Sequence, residues 1–350
     1  MSKNILVAPL NWGLGHATRC IPIINALIVE GFNPILASDG IALEMLRKEF
    51  PDLQTLELPS YQIEYAKNGK NFKWKMIKNS PKMISAILEE KKITKNLIAK
   101  YNLIGIISDN RLGVRSKKVP SVFITHQLNV LSGNTTWIST KLHQNIIKKF
   151  NECWVPDFKE KPNLTGKLGH IKNSNLNLKY IGPLSRLQQQ ELPIKYDLMI
   201  ILSGPEPQRT ILEEILIIEI KKFKGNILFI KGLVQKSQSI EKTENVTFVN
   251  FMNTDDLQTS FNESEIVLCR SGYTTIMDLA VLGKKAFFIP TPGQFEQEYL
   301  AKKLNQKGLY AYSSQDKFRI RNLQETVLYK GILNPTNHVD WSKLFEIFKN

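Results

Sequence analysis

Ile5-Leu6-Val7-Ala8-Pro9-Leu10-Asn11-Trp12-Gly13-Leu14-Gly15-His16-Ala17-Thr18-Arg19 begins as an unbroken apolar run and passes into a loop with two glycines. An apolar run without alternation suits a strand buried on both faces, as in a parallel sheet covered by helices. Glycines directly after such a strand let the backbone turn tightly into a helix. The N-terminus of that helix offers unpaired N–H groups to an anion or a polar ligand.

The same alternation continues through the 350 residues. Strand-like runs are expected at Pro34–Ser38, Gln54–Leu58, Leu103–Ser108, Ser121–Thr125, Glu152–Val155 and Tyr180–Ile181. A second series is expected at Asp197–Ser203, Asn226–Lys231, Val246–Asn250, Glu265–Cys269, Ala286–Pro290 and Leu309–Tyr312. Helical runs such as Ile211–Phe223 and Thr274–Leu282 lie between them. Strands alternating with helices give a parallel sheet with helices on both faces, and here the pattern occurs twice. The polar, proline-bounded stretch 182–193 reads as the joint between halves. Ligands of open parallel sheets bind beyond the carboxyl ends of the strands, so two such sheets facing each other predict a site in the cleft between them.

Composition narrows the function classes. No uninterrupted apolar run reaches the ~18–20 residues of a membrane span. Three cysteines, odd in number and far apart, argue for a reducing cytoplasm and against a structural zinc site. The formal charge is +15, and it is unevenly spread: residues 1–185 hold 26 Lys and Arg against 13 Asp and Glu, the rest 21 against 19. A basic first half suggests an anionic partner, or simply a solvated lysine surface. Residues 67–100 carry ten lysines interleaved with Phe72, Trp74, Met76, Ile77, Met83, Ile84, Ile87 and Leu88. A basic amphipathic face with tryptophan fits a peripheral membrane surface, and equally a core-packing helix with solvated lysines.

Candidate chemistry starts at His16, which can take a proton from a hydroxyl near neutral pH or act as a helix cap. Asp109 ends the run Leu103–Ser108 and can orient a histidine in the manner of a triad, or cap a helix. His126 ends the next run; His143, His170 and His338 have no comparable context. In the second half, Ser203 and Gly204 lie between a strand and a helix, where a diphosphate can sit. Ser271 and Gly272 open a helix at another strand end, Asp278 lies inside that helix, and Gln297 and Glu298 follow the next strand. Carboxylates and amides so placed can accept hydrogen bonds from a ribose diol and from sugar hydroxyls.

The stretch Val246–Tyr312 resembles the donor-binding half of glycosyltransferase family 28, the MurG-like transferases. The matching words are Asn250-Phe251-Met252, Cys269-Arg270-Ser271-Gly272, Thr275, Asp278, Gly283, Pro290, Gln297 and Tyr299. The first half agrees at the glycine loop with His16, at His126-Gln127 and at Gly182–Arg186. The resemblance implies an α/β protein of the GT-B fold, two Rossmann-like domains whose parallel sheets face each other across a cleft. It also implies inversion at the anomeric carbon without a bound metal. Carried over, Met252 holds the base through its backbone, Asp278 the ribose, and Gln297 and Glu298 the donor sugar. Arg186, Ser271 and Gly272 help hold the diphosphate, and His16 with Asp109 is the base. Asp278 stands where the family has Glu, Glu298 where it has Gln, and Ala301 where it has Asn, which leaves the donor sugar open. Arg19 stands where the family has a proline.

The resulting expectation is an acceptor-side domain over residues 1–185, a nucleotide-sugar domain over 186–330, and a C-terminal helix over 331–350 that packs back on the first. Gly13, Gly15, Arg19 and His126 belong to the acceptor side. The expected reaction moves a hexose or N-acetylhexosamine from a nucleotide sugar, by preference a UDP-sugar, to a lipid-linked or cell-envelope acceptor. The nucleotide sugar is a substrate, so no cofactor and no metal are expected, and no nucleic acid. The expected location is the cytoplasm, at the inner face of an anionic membrane. A sugar-nucleotide epimerase on the same fold and a non-catalytic anion- or lipid-binding protein are the other readings.

Overall fold

The computed structural model describes residues 3–61, 72–172, 174–204, 206–233, 235, 237–332 and 339–349. They divide into two units, one of 3–61, Lys73–Leu184 and 339–349, the other of 185–332.

The first unit contains β1 (Asn4–Pro9), α1 (Gly15–Val29), β2 (Asn33–Ser38), α2 (Gly40–Glu49), β3 (Thr55–Glu57) and α3 (Phe72–Tyr101). It continues with β4 (Leu103–Asp109), β5 (Ser121–Ile124), α4 (Thr136–Ile147), β6 (Glu152–Val155) and β7 (Leu178–Tyr180). The strands form one sheet in the order β3-β2-β1-β4-β5-β6-β7, every neighbouring pair parallel. Every residue of β1, β5 and β6 is buried, which is why these runs are apolar without alternation after their first residues Asn4, Ser121 and Glu152. Leu6, Ala8, Ile35 and Ile106 pack against Ile93 and Leu97 of α3, while Phe123, Cys153 and Val155 pack against Ile147 and Phe150. The sheet order reverses between β1 and β4, and ligands of open α/β sheets bind at such a reversal.

The second unit contains β8 (Tyr196–Ile201), α5 (Gln208–Ile220), β9 (Ile227–Ile230), β10 (Ile240–Thr243), β11 (Val246–Val249) and α6 (Thr254–Asn262). After these come β12 (Ser264–Cys269), α7 (Tyr273–Leu282), β13 (Lys285–Phe288), α8 (Phe295–Gln306) and β14 (Ala311–Tyr312). Its sheet runs β10-β11-β9-β8-β12-β13-β14 and reverses between β8 and β12. Leu198, Ile200, Phe229, Leu268 and Phe287 bury against Leu212 and Leu216 of α5.

The all-parallel expectation needs one correction, because β10 pairs antiparallel with β11 at the sheet edge. Its four residues are exposed, so it carries no apolar signature. α5 starts three residues before the apolar run expected at Ile211, because its first turn is polar.

Of the stretch expected as a C-terminal helix, 333–338 lie outside the described residues, and 339–349 hold α9 (Trp341–Leu344) and a 3-10 turn, Phe345–Phe348. Phe345 and Phe348 lie 5.9 and 6.4 Å from Phe32, ring centre to ring centre, and 6.1 and 6.3 Å from Trp154. Each such buried ring stabilises the first unit by about 1.5–3 kcal/mol. Gly105 on β4 is glycine because a Cβ there would meet the Phe348 ring.

The basic stretch lies only partly within the described residues. The side chains of Phe72, Trp74, Met76 and Ile77 fall outside them, as does His338. In α3 the paired apolar positions divide: Met83 and Ile87 pack with Leu10, Tyr61 and Ala86, whereas Ile84 and Leu88 are exposed.

Candidate active site

In the first unit the site grows from the ends of β1 and β4. The backbone of Leu10 donates to the Asp109 carbonyl at 2.9 Å, holding the two strand ends in register. Gly13 has φ +75° with open space around its absent side chain, so glycine serves the backbone turn and not a close approach. His16 is the second residue of α1 and not its cap; Leu14 holds the cap position without a side-chain bond. Asp109 is the last residue of β4, and no helix follows it: Asn110 turns left-handed at φ +57°. Both capping alternatives therefore fail, and the two side chains meet instead.

His16 Nδ1 lies 2.9 Å from Asp109 Oδ1. Arg19, one helical turn on, donates through Nε and Nη2 to both oxygens of Asp109, and through Nη1 to His126 Nδ1 at 3.1 Å. Asp109 is fully buried, Arg19 and His126 nearly so, and the His16 side chain keeps 14% of its exposure. A carboxylate only accepts, so its bond to His16 calls for a proton on Nδ1, which leaves the Nε2 lone pair for a substrate. Among the described residues Nε2 has no hydrogen-bond partner. Burial pushes the His16 imidazole below its ordinary pKa; the Asp109 charge opposes this and the Arg19 charge adds to it. The imidazole is thus neutral at pH 7, the form a base needs. Burial alone would raise Asp109, but the Arg19 guanidinium and His16 hold its carboxyl well below the usual range.

Sequence reasoning missed a second polar network beneath this loop. Arg111 is buried between Asp39 and Glu90, bonding Glu90 Oε1 at 2.8 Å and the Pro9 carbonyl at 3.1 Å. Tyr61 donates to Glu90 at 2.7 Å, and Asn11 donates to Asp39 at 3.1 Å. These bonds fix the glycine loop from below. Glu90, in sequence one of two acids in a lysine-rich stretch, is fully buried, so the surface around it is more basic than the count implies.

The second unit brings together most of the residues singled out for a donor. Ser203 and Gly204 follow β8, both exposed, with Gly204 at φ +104°. Gly272 is the N-cap of α7, with open space where a side chain would stand and no side-chain cap. Ser271 turns inward and donates to the Gln297 carbonyl at 2.9 Å, leaving its backbone for a ligand. Asp278, on the second turn of α7, accepts from Ser185 Oγ at 2.6 Å. Burial pushes its carboxyl up to about 6, against the Ser185 bond and the nearby Arg186 charge. Arg186 also donates to Thr254 at 2.9 Å. Asn250 braces the loop before Met252 through bonds to Gln235, Ser237, Ser239 and Phe251. Gln297 Oε1 and Glu298 Oε1 accept from the backbone of Thr291 and Gly293 at 2.8 and 2.9 Å. Each of those two side chains thus has one polar atom holding its own loop and one remaining for a hydroxyl. Among the described residues no group of three or more His, Cys, Asp or Glu is arranged to hold a metal ion.

Residues 208–338 match the glycosyltransferase family 28 C-terminal domain. A Haemophilus ducreyi protein named UDP-N-acetylglucosamine--N-acetylmuramyl-(pentapeptide) pyrophosphoryl-undecaprenol N-acetylglucosamine transferase is 24% identical over 335 residues, covering 92% of this chain and 88% of its own. Among solved structures, the spinosyn forosaminyltransferase SpnP is similar with a TM-score of 0.65 at 12% identity, over 100% of both chains. Acinetobacter baumannii MurG is similar at 0.53 and 14%, over 93% of this chain and 90% of its own. The chain is a glycosyltransferase of the GT-B fold. Its second half is a family 28 C-terminal domain, and the MurG-like transferases are its relatives.

Proposed function

We propose that the chain is an inverting, metal-independent transferase that moves a hexose or N-acetylhexosamine from a UDP-sugar to a hydroxyl of a lipid-linked acceptor. The observation that carries the proposal is His16, fixed by Asp109 at the reversal point of the first sheet, its Nε2 bonded to none of the described residues. The acceptor oxygen attacks the anomeric carbon and its proton passes to Nε2. The bond from that carbon to the diphosphate oxygen breaks, and the nucleoside diphosphate leaves with the electron pair. Asp109 stabilises the imidazolium that forms. Arg186 and the backbone N–H groups at Gly272 and Gly204 meet the charge growing on the leaving group, a type of term that is often the largest in catalysis. Asp278 takes the ribose, Met252 the base, and Gln297 and Glu298 the sugar. No cofactor takes part.

The lipid-linked acceptor is supported by the name of the Haemophilus relative and by the surface of the first unit. Trp137 and Leu142 on α4 are 68% and 60% exposed beside Lys141, and Ile84 and Leu88 of α3 are exposed as well. Apolar side chains among lysines suit the inner face of an anionic membrane. The experiment is a thermal or denaturant unfolding screen with nucleotide sugars. A UDP-sugar at 100 times its dissociation constant adds about 2.7 kcal/mol. No shift with any nucleoside diphosphate sugar contradicts the donor, and release of an altered free sugar without acceptor points to the epimerase.

A further inference from the structure

Two groups press on His16 Nδ1 with opposite demands. Asp109 Oδ1, at 2.9 Å, can only accept, so it requires a proton on Nδ1. Arg19 Nη2, at 2.8 Å, can only donate, so it requires a bare Nδ1. A proton on Nδ1 frees Nε2 to act as base, and Arg19 Nη2 tolerates that tautomer because it already donates to Asp109 Oδ1; a bare Nδ1 in the neutral ring would put the proton on Nε2 and remove the base. Arg19 also occupies both oxygens of Asp109 and the Nδ1 of His126. It is therefore not a bystander to a histidine–aspartate pair but the centre of a four-residue cluster. Among the described residues the charged or titratable groups acting on His16 are Asp109 from β4, Arg19 from α1 and His126 beyond β5, with Cys20 Sγ 3.7 Å from the far Asp109 oxygen.

We propose that Arg19 is a positioning residue for the transfer reaction, which clamps Asp109 and His126 and, by compensating the Asp109 carboxylate, keeps His16 neutral before the acceptor arrives. The inference rests on the base role of His16 proposed above. An aspartate alone beside a histidine favours the protonated ring, which at neutral pH would fill Nε2 with a proton before the reaction starts. Sharing the carboxylate with a guanidinium weakens that pull. Part of the carboxylate charge still faces the ring, so the imidazolium formed during transfer retains a partner. The placement follows from sequence spacing, since positions 16 and 19 lie on one face of α1.

The test is a histidine titration by NMR on the full chain carrying isotope-labelled histidine, with His16→Ala identifying the His16 signal. Arg19→Gln, which removes the charge, moves the His16 midpoint to higher pH; Arg19→Lys, which keeps it, leaves the midpoint nearer the wild type. An unchanged or lowered midpoint in folded Arg19→Gln protein overturns the proposal. If that variant does not fold, the Arg19 Nε–H signal of the wild-type chain decides: it shifts as His16 titrates, and indifference to His16 protonation overturns the clamp. Once an acceptor is in hand, the acid limb of kcat/KM in Arg19→Gln moves upward with the midpoint, which a purely structural role would not produce. If His16→Ala turns over normally, the base role fails while the titration still reports on the clamp.

Discussion

Asp278→Asn separates donor binding from folding, because the wild-type carboxyl is pushed up to about 6 by its half-buried place on α7. If the ribose diol donates to the ionised carboxylate, affinity falls as pH drops through that value. For a group titrating at about 6, the ionised fraction drops from about nine-tenths at pH 7 to about one-tenth at pH 5. Donor affinity then weakens about tenfold, on the order of 1.4 kcal/mol. The sign for stability is the opposite. A carboxyl raised above its unfolded pKa contributes stability that is present below the unfolded value and lost as pH rises through about 6. Asp278→Asn, which can still accept from Ser185, therefore gains on the order of 1–2 kcal/mol of stability at pH 8, discounted for partial exposure, while losing donor affinity. The assay is calorimetric titration with a UDP-sugar from pH 5 to 8, beside urea unfolding of both proteins. The sugar-bearing diphosphate has no second ionisation in this range, so the slope belongs to the protein. A flat affinity profile in the wild type, or unchanged affinity in Asp278→Asn, refutes the ribose role.

Membrane docking should respond to the exposed face of α4: Trp137→Ala with Leu142→Ser reduces binding to acidic vesicles and leaves UDP-sugar affinity intact. Vesicle binding should also fall with salt as the Debye length shrinks from ~10 Å at 0.1 M to ~3 Å at 1 M; equal binding to neutral and acidic vesicles contradicts the electrostatic part. Transfer should survive chelation, since Arg186 and helix termini occupy the role of a cation; loss with EDTA that magnesium or manganese restores counts against this.

Much of the fold is written in the sequence because most strands are buried on both faces. The stretches Leu103–Ile107 and Ile266–Cys269 within β4 and β12 announce themselves by their lack of polar residues. β10 does not, because Ile-Glu-Lys-Thr is an exposed edge whose identity comes from pairing with β11. His16 and Asp109 stood out in the sequence as a histidine just after a glycine loop and an aspartate closing a later apolar run; their 2.9 Å contact depends on β1 and β4 lying side by side. Arg19 was visible as a residue, but its place between Asp109 and His126 depends on the order of β1, β4 and β5, which no local pattern carries. Glu90 carries no local sign of burial for the same reason: its partners Arg111 and Tyr61 lie 21 and 29 residues away. In the second half the motif residues were legible, whereas the inward turn of Ser271 and the bracing roles of Gln297 and Glu298 emerge only from packing.

The proposed mechanism turns on His16 removing the acceptor proton. Steady-state kinetics of His16→Ala with a UDP-sugar and a lipid-linked acceptor, alongside denaturant unfolding, tests it most directly. Turnover falls by roughly 10²–10⁴-fold, donor affinity stays nearly unchanged, and the double mutant with Asp109→Asn is far from additive because the two act as a unit. Normal turnover by folded His16→Ala protein contradicts it.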